Sequence, residues 1–410
     1  MVGRSVLIVG CGIAGPALAY WLLEHGFEPT LAERAPALRT GGYAIDFWGL
    51  GFDLVERMGL LPQVLNAGYA VNELRLVNAR SRRVGGFDVD VLRTATQGRF
   101  TTLPRSALSA ILVGAIAERA SIRWGTTPVA FEQRADGVLV RFSDGKTELF
   151  TLVIGADGVH SRVREEVFGT ASKFEHYLGF RVAAYQVAGY SKRDEQVYVS
   201  HAVPGRQVAR LSLRDDQTLF MLMAAEEAPG PRSWDKQSTV AYLRARFGDL
   251  GWEIPEILGA LERAAEIYID RVSQIRLPRW WRGHLALLGD AAYAPSLLAG
   301  QGSALAIIGA YVLAGELSRA VTPEAAFERY QDKLAPFIGA KQIAAQGFAG
   351  TFVPQTSLGI WLRNAVTRAM AIPAVAKLAM GRSLRDDFVL PSYDRGQTMV
   401  ASSGGGRLHA

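Results

Sequence analysis

Cysteine is nearly absent from this 410-residue chain. Cys11 stands alone, so no intramolecular disulfide can form, no cysteine-rich metal site exists, and no metal is expected. Its place inside a glycine turn marks it as a small packing residue rather than a redox group. No stretch reaches 18 consecutive apolar residues, which argues against a membrane-spanning helix. The N-terminus shows no basic region, apolar core and cleavage site in order, and a strand is expected from about Ser5, so the expected location is the cytoplasm. Runs of five or six like charges are missing too. The net charge of +6 comes from scattered residues, mostly arginines. That speaks against nucleic acid as a partner and for arginines facing an anionic small molecule. With 49% hydrophobic and 20% charged residues, a large core is available and global disorder is excluded. The length suits two or three domain-sized units.

Glycine, in contrast, is plentiful, and three glycine turns are informative. The first, Gly10-Cys11-Gly12-Ile13-Ala14-Gly15, follows the apolar run Val6–Val9 and opens a helical stretch over 13–26. In such a turn the first glycine permits the bend, the second admits a pyrophosphate against the backbone, and the third lets helix and strand pack closely. The helix N-terminus favours the anionic phosphates. A second strand over 28–33 ends at Glu33, about 20 residues on, where an acid binds ribose hydroxyls and disfavours a 2′-phosphate. The second turn, Gly155-Ala156-Asp157-Gly158, follows Leu152–Ile154; the third, Gly289-Asp290-Ala291-Ala292, follows Leu285–Leu288 and leads to Gly300-Gln301-Gly302. All three end short buried strands, where open α/β sheets put their ligand crevice. Three such turns spread over most of the chain indicate one long cofactor wrapped by distant segments, which points to FAD. No His or Cys is placed for covalent attachment, so the FAD is expected to be noncovalent.

Between the turns, Arg39 to Gly51 reads as a glycine-rich loop whose Asp46 could face the flavin or merely cap the loop. A short helix is expected over 50–60 and strands over 71–90, where Val71, Leu74 and Leu76 alternate with polar residues. Pro104 suits the first turn of a helix running to about Arg119, which would put Arg105 within reach of a phosphate or the ribityl chain. Short strands over 121–154 carry a hairpin signal at Asp144-Gly145. Strand-like runs over 178–225 include Arg181–Val187 and Leu219–Met223, and 234–265 looks helical with a break at Gly251–Pro255. Then come a strand over 284–288, a helix over 302–319 and helices over 323–380, interrupted near Val353-Pro354 and Ile372-Pro373. The expected fold class is α/β: a discontinuous Rossmann-type FAD-binding domain (1–70, 91–173 and 271–330) with an inserted β-rich substrate domain (71–90 and 174–270). C-terminal bridging helices (331–382) and a disordered tail (395–410) are expected to follow.

Gly10–Gly15 with Glu33-Arg34, Asp157-Gly158 with His160-Ser161-Arg162, and Gly289–Ala292 through Gly302 together resemble the group A FAD-dependent aromatic monooxygenases. This is the para-hydroxybenzoate hydroxylase-like family, and within it the chain resembles the tetracycline-inactivating and polyketide-hydroxylating members. The resemblance covers about 1–380. It implies that Asp290 contacts the ribityl or pyrophosphate part of FAD, and that Gly300, Gln301 and Gly302 lie against the flavin. Arg34, Arg105 and Val129 would join the cofactor contacts. The helix after Gly302 would aim its N-terminus, with roughly half a positive charge, at the ring and stabilise anionic reduced flavin. The Asp157-Gly158 turn would serve both FAD and a pyridine nucleotide, with NADPH or NADH as co-substrate and no separate nicotinamide domain. The implied reaction is hydroxylation of an aromatic or polyketide-like molecule by molecular oxygen. Hydride reduces FAD, oxygen adds at flavin carbon 4a, and the protonated hydroperoxide delivers an electrophilic oxygen. The cofactor carries the hard chemistry, and no catalytic side chain is assigned. The sequence departs from the family at Tyr293, where histidine is common, at Leu297, where proline is common, and at Ala304 and Gly309, where asparagine and aspartate are common. The wall of the flavin pocket is therefore expected to differ.

Substrate contacts are expected from the β-rich insertion: Arg181, Tyr185, Gln186, Arg210, Phe220 and Met223, with His201 and Arg206 beside them. Gly251–Pro255 faintly resembles the tryptophan segment of flavin-dependent halogenases, but no lysine precedes Lys146 to carry hypohalous acid. Leu358, Ile360, Trp361, Leu362 and Arg363 read as a membrane-surface helix or, better, as a helix bridging two domains. Two other functions stay open: a flavin oxidoreductase that inserts no oxygen, and a FAD-holding protein that sequesters its ligand. The sequence is silent on oligomeric state.

Overall fold

The computed structural model describes residues 4–38, 42–232, 234–372, 375 and 386–393; the expected tail and Pro373 lie outside them. Continuous apolar runs such as Val6–Ile8 and Leu152–Ile154 are fully buried, as strands of a parallel sheet covered on both faces must be. They form a six-stranded sheet in the order Trp281–Arg282, Leu285–Leu287, Leu152–Gly155, Ser5–Val9, Glu28–Glu33, Ser121–Trp124. Only the edge strand Trp281–Arg282 runs antiparallel. The chain leaves Ser5–Val9 towards Glu28–Glu33 and later returns on its other side as Leu152–Gly155. This is the topological switch point at which such sheets open a crevice.

A second sheet has seven strands in the order Ile267–Ile275, Glu175–Ala188, Gln217–Ala225, Arg206–Ser212, Val197–Val203, Glu73–Val77, Arg83–Asp88. Alternation gives it two different faces. On one, Ala183, Tyr185, Val187, Val208, Phe220 and Leu222 pack against helices Lys236–Phe247 and Ile254–Ala260 through Leu243, Phe247, Ile254 and Ile257. On the other, Val182, Ala184, Leu211, Leu219 and Met223 meet Tyr43, Trp48, Leu297 and Leu298 of the first domain. Strand Ile267–Ile275 carries this sheet past the boundary expected at 270.

Two local readings change. The expected glycine-rich loop holds a strand, Ala44–Trp48, which exists because Phe100–Pro104 pairs with it. Asp46 therefore sits on a strand. The helix opened at Arg105 ends at Gly114 rather than near Arg119. Helix Gly302–Arg319 is buried along most of its length, as its apolar composition requires. The long helix Pro323–Phe352 begins against it and ends at the second sheet. There Val353 packs with Phe180 and Val182, and Gly205 N donates to Pro354 O at 2.9 Å. Midway, Gln342 Nε2 donates to Ile275 O at 2.8 Å. Helix Ser357–Ala369 lies on strand Arg83–Asp88 of the second sheet.

Candidate cofactor and substrate site

The three glycine turns touch one another. At Gly10, φ is +107° and a Cβ would come within 2.6 Å of Ala156 O, so the first and second turns meet backbone to backbone. At Gly289, φ is +64° and a Cβ would sit 3.1 Å from that of Ala14, which joins the third turn to the start of helix Ala14–Glu24. Ile13, Ala14 and Gly15 are buried in that junction. A Cβ on Gly12 would instead face the Arg105 guanidinium at 3.6 Å: Gly12 is the floor of a cradle with a cation opposite. Ser109 Oγ pins the Arg105 helix to this floor by donating to Gly12 O at 2.9 Å.

Glu33 closes the second strand, and its carboxylate accepts Cys11 N and Ala35 N, both at 2.9 Å. It thus shapes the turn, and each oxygen keeps a further lone pair for a ribose. Burial, with Glu33 nearby, pushes the Cys11 thiol up to about 12, which makes it an inert packing group. Arg34 is exposed beside it. Val129 stands exposed on strand Pro128–Arg134 of a separate three-stranded sheet.

Asp157 uses one oxygen to accept Arg162 N at 2.8 Å and Val163 N at 3.2 Å. Its Oδ1 is buried and meets no donor, and burial raises its carboxyl. Asp290 lies deep in the molecule yet keeps accessible surface, so it lines an internal cleft. Burial raises it and Arg105 partly offsets this. The Asp290 Oδ1 is 3.5 Å from where a Cβ on Gly302 would be, at the start of the Gly302–Arg319 helix. A glycine floor, a facing guanidinium, an orphaned buried acceptor and a second deep carboxylate suit a pyrophosphate followed by a polyhydroxylated chain. These residues fit FAD.

At the flavin end one cavity is lined by Asp46, Trp48, Gly300, Gln301 and Asp386, with Ala304, Leu305 and Ile308 behind them. Asp46 Oδ1 accepts Thr102 Oγ1 at 2.6 Å, and burial raises its carboxyl. The departures at 293 and 309 accommodate each other, and that at 304 accommodates Gly51. The Tyr293 hydroxyl occupies the space that a side chain on Gly309 would need, and it accepts Tyr330 OH at 3.2 Å. Ala304 in turn packs where Gly51 approaches, at 2.7 Å from an added Cβ.

The second sheet divides the substrate candidates. Gln186 and Met223 are on the face towards the cleft: Gln186 Nε2 donates to Gly42 O at 3.2 Å, and Met223 packs with Leu298 and Val353. Arg181, Tyr185, Arg210 and Phe220 are on the opposite face, because the side-chain period is two and these positions fall on the helix-covered side. Arg181 pairs with Glu226 at 3.0 Å and Arg210 with Glu253 at 2.7 Å. Tyr185 OH donates to Ile257 O at 2.6 Å, and the Phe220 ring lies 4.9 Å from that of Tyr190. His201, bonded to Val77 O at 3.0 Å, and Arg206, paired with Asp249, share that side. As substrate contacts these six are corrected by the geometry.

The cleft holds three tyrosines that the sequence reading passed over, Tyr198 and Tyr268 from the sheet and Tyr43 from the first domain facing it. Tyr43 and Tyr268 have ring centres 5.5 Å apart, and Tyr268 OH donates to Asp270 Oδ2 at 3.3 Å. His160 Nε2 reaches the same oxygen at 2.9 Å. Tyr198 packs with this group, and burial raises all three phenols above their ordinary value. Period-two alternation would have found Tyr198 and Tyr268 had the inward face been known. Among the described residues no cluster of three or more His, Cys, Asp or Glu is placed to hold a metal, and no helix is long and apolar enough to cross a membrane.

A doubly wound domain with a three-turn cradle, faced at its flavin end by a seven-stranded sheet, has the architecture of the FAD-dependent aromatic hydroxylases. A family model described as "FAD binding domain" matches residues 4–342. A flavin-dependent monooxygenase from an unknown prokaryotic organism is 34% identical over 347 residues, covering 83% of this chain and 88% of that protein. A flavin-dependent monooxygenase of Legionella longbeachae serogroup 1 (strain NSW150) is 30% identical over 95% of this chain and 98% of its own. The crystal structure of tetracycline destructase Tet(55) superposes with a TM-score of 0.82 at 30% identity, covering 95% of this chain and 99% of that one. The chain belongs to this FAD binding domain family and is a FAD-dependent monooxygenase acting on a small molecule with oxygen.

Proposed function

We propose that this monooxygenase takes hydride from NADPH or NADH and hydroxylates an electron-rich, multi-ring aromatic or polyketide-like molecule held against the cleft face of the seven-stranded sheet. One observation carries the reading. Tyr43 and Trp48 of the first domain come together with Gln186, Tyr198 and Tyr268 of the seven-stranded sheet, while Arg181, Arg206 and Arg210 of that sheet are turned away and ion-paired. Aromatic walls of this kind stack on planar rings. Similarity to a tetracycline destructase points the same way.

When bound, FAD would supply hydride acceptance and oxygen activation. Gly12 and Arg105 would hold its pyrophosphate, Asp157 and Asp290 its hydroxyls, and Gly300–Gly302 its ring. Tyr43, Tyr198 and Tyr268 stay protonated at neutral pH, so they do not act as bases; Tyr43 and Tyr198 would donate hydrogen bonds that orient substrate oxygens, while the Tyr268 proton is given to Asp270.

The test is a panel of phenolic and polycyclic compounds, tetracycline included, assayed for stimulated NADPH and NADH oxidation with mass analysis of products. A product heavier by one oxygen supports the proposal. Stimulated oxidation with a desaturated or reduced product would instead identify a flavin oxidoreductase, and tight binding without stimulated oxidation a sequestering protein.

A further inference from the structure

Residues 386–393 lie on the first domain without secondary structure of their own. Side chains hold them there. The Phe388 ring stacks on Phe337 at 5.2 Å, and Tyr311 OH donates to Pro391 O and Arg319 Nη2 to Ser392 O, both at 2.7 Å. Tyr393 is buried: its ring fills the space over Gly315, and its hydroxyl donates to Glu316 Oε1 at 2.6 Å. Tyr311, Gly315, Glu316 and Arg319 all belong to Gly302–Arg319, the helix that starts at the flavin end. These contacts explain why the segment stays on that helix. They do not explain its first residue.

Asp386 lines the flavin-end cavity together with Asp46, Trp48, Gly300 and Gln301. One of its carboxylate oxygens accepts Leu50 N at 2.9 Å, and the other meets Lys341 Nζ of the Pro323–Phe352 helix at 2.7 Å. At Gly49 φ is +69° and a Cβ would run into the same carboxylate, so only glycine fits there. The Asp386 and Lys341 side chains are 10% and 12% exposed. An ion pair buried to that degree adds little stability over apolar residues of the same volume, so its use is to fix geometry. What it fixes is the corner between strand Ala44–Trp48 and helix Leu50–Arg57. Asp46 and Trp48 before the corner are walls of the cavity, and Gly51 after it packs on Ala304, another wall residue.

We propose that Asp386 is a positioning residue for the flavin. By holding the Trp48–Leu50 corner it sets one wall of the flavin-end cavity, so docking of the 386–393 segment and binding of FAD reinforce each other. The inference is independent of the substrate proposed above.

The experiment is FAD titration of the full-length apoprotein, with thermal melting of the same apoprotein and amide exchange of Leu50 with and without FAD. Asp386→Ala should weaken FAD binding at least about tenfold, because a charged acceptor on the corner is lost. The visible absorption bands of the flavin that still binds should shift. Asp386→Asn/Lys341→Met keeps an acceptor for Leu50 N without an unpaired cation, and should restore the parent affinity. Tyr393→Phe removes the hydrogen bond to Glu316 at the far end of the segment, and should lower melting with FAD affinity unchanged. Because coupling is reciprocal, FAD should slow Leu50 exchange in the parent by the same factor of about ten. An Asp386→Ala protein that melts lower yet keeps the parent's FAD affinity overturns the proposal, since the residue would then be a structural clamp alone. So does a double variant as weak as Asp386→Ala, or Leu50 exchange that FAD leaves unchanged. If Asp386→Ala fails to fold, the Leu50 exchange of the parent decides.

Discussion

Tyr293 and Gly309 show how single residues compensate one another at the back of the flavin pocket. The Tyr293 hydroxyl fills the space above Gly309, and its ring lies 4.6 Å from that of Trp280. Alanine in an exposed helix would gain about 1 kcal/mol over glycine. Here the added methyl meets a buried hydroxyl, and overpacking of this kind costs about 1–3 kcal/mol. Gly309→Ala is therefore expected to lower stability in denaturant unfolding, and adding Tyr293→Phe should recover part of the loss. Asp46 makes a second prediction, on pH. Burial raises its folded-state pKa above the unfolded value of about 3.9, so the ionised form weakens the fold. The penalty is absent below that value and grows as pH rises through the folded pKa. Asp46→Asn keeps an acceptor for Thr102. The melting temperature of the variant should match the parent near pH 4, exceed it increasingly as pH rises, and then level off.

At the scale of elements, the cofactor cradle is made by turns from distant parts of the chain, so its parts can be tested separately. Gly12→Val places a side chain in the floor opposite Arg105 and should yield colourless, folded protein. Asp290→Ala removes one acceptor, which leaves a cofactor hydroxyl poorly paired at a cost of about 1–3 kcal/mol. FAD affinity measured by fluorescence titration should then fall by about one to two orders of magnitude. Unchanged retention in that variant would remove the third turn from the cofactor site.

At the scale of the whole molecule, the seven-stranded sheet has two different faces, with the helices Lys236–Phe247 and Ile254–Ala260 behind it and the cleft in front, and the proposed function puts substrate on the cleft side alone. Tyr185→Phe deletes a buried hydrogen bond to Ile257 O and should cost about 1 kcal/mol of stability while leaving turnover per bound flavin intact. Gln186→Ala, its neighbour on the other face, should alter substrate-dependent turnover while FAD content stays near one per chain. Reversal of these two outcomes would place the substrate on the helix side.

The sequence by itself determined the cofactor half of this protein. Val6–Val9, Leu152–Ile154 and Leu285–Leu288 are unbroken apolar runs, each ending in glycine, and their chemistry is local: a parallel strand needs that composition, and a phosphate needs that turn. Only the tertiary structure decided the rest. Alternation told that Tyr185 and Gln186 lie on opposite faces, yet which face meets the flavin depends on where Lys236–Phe247 and Ile254–Ala260 pack, and that is a long-range choice. Strand Ala44–Trp48 hid among glycines because its ordering comes from pairing with Phe100–Pro104 more than fifty residues away. The apolar residues of Ser357–Ala369 were legible as a pattern, but their outward direction was set by Gly86, Gln207 and the sheet edge, which hold the helix by its polar side.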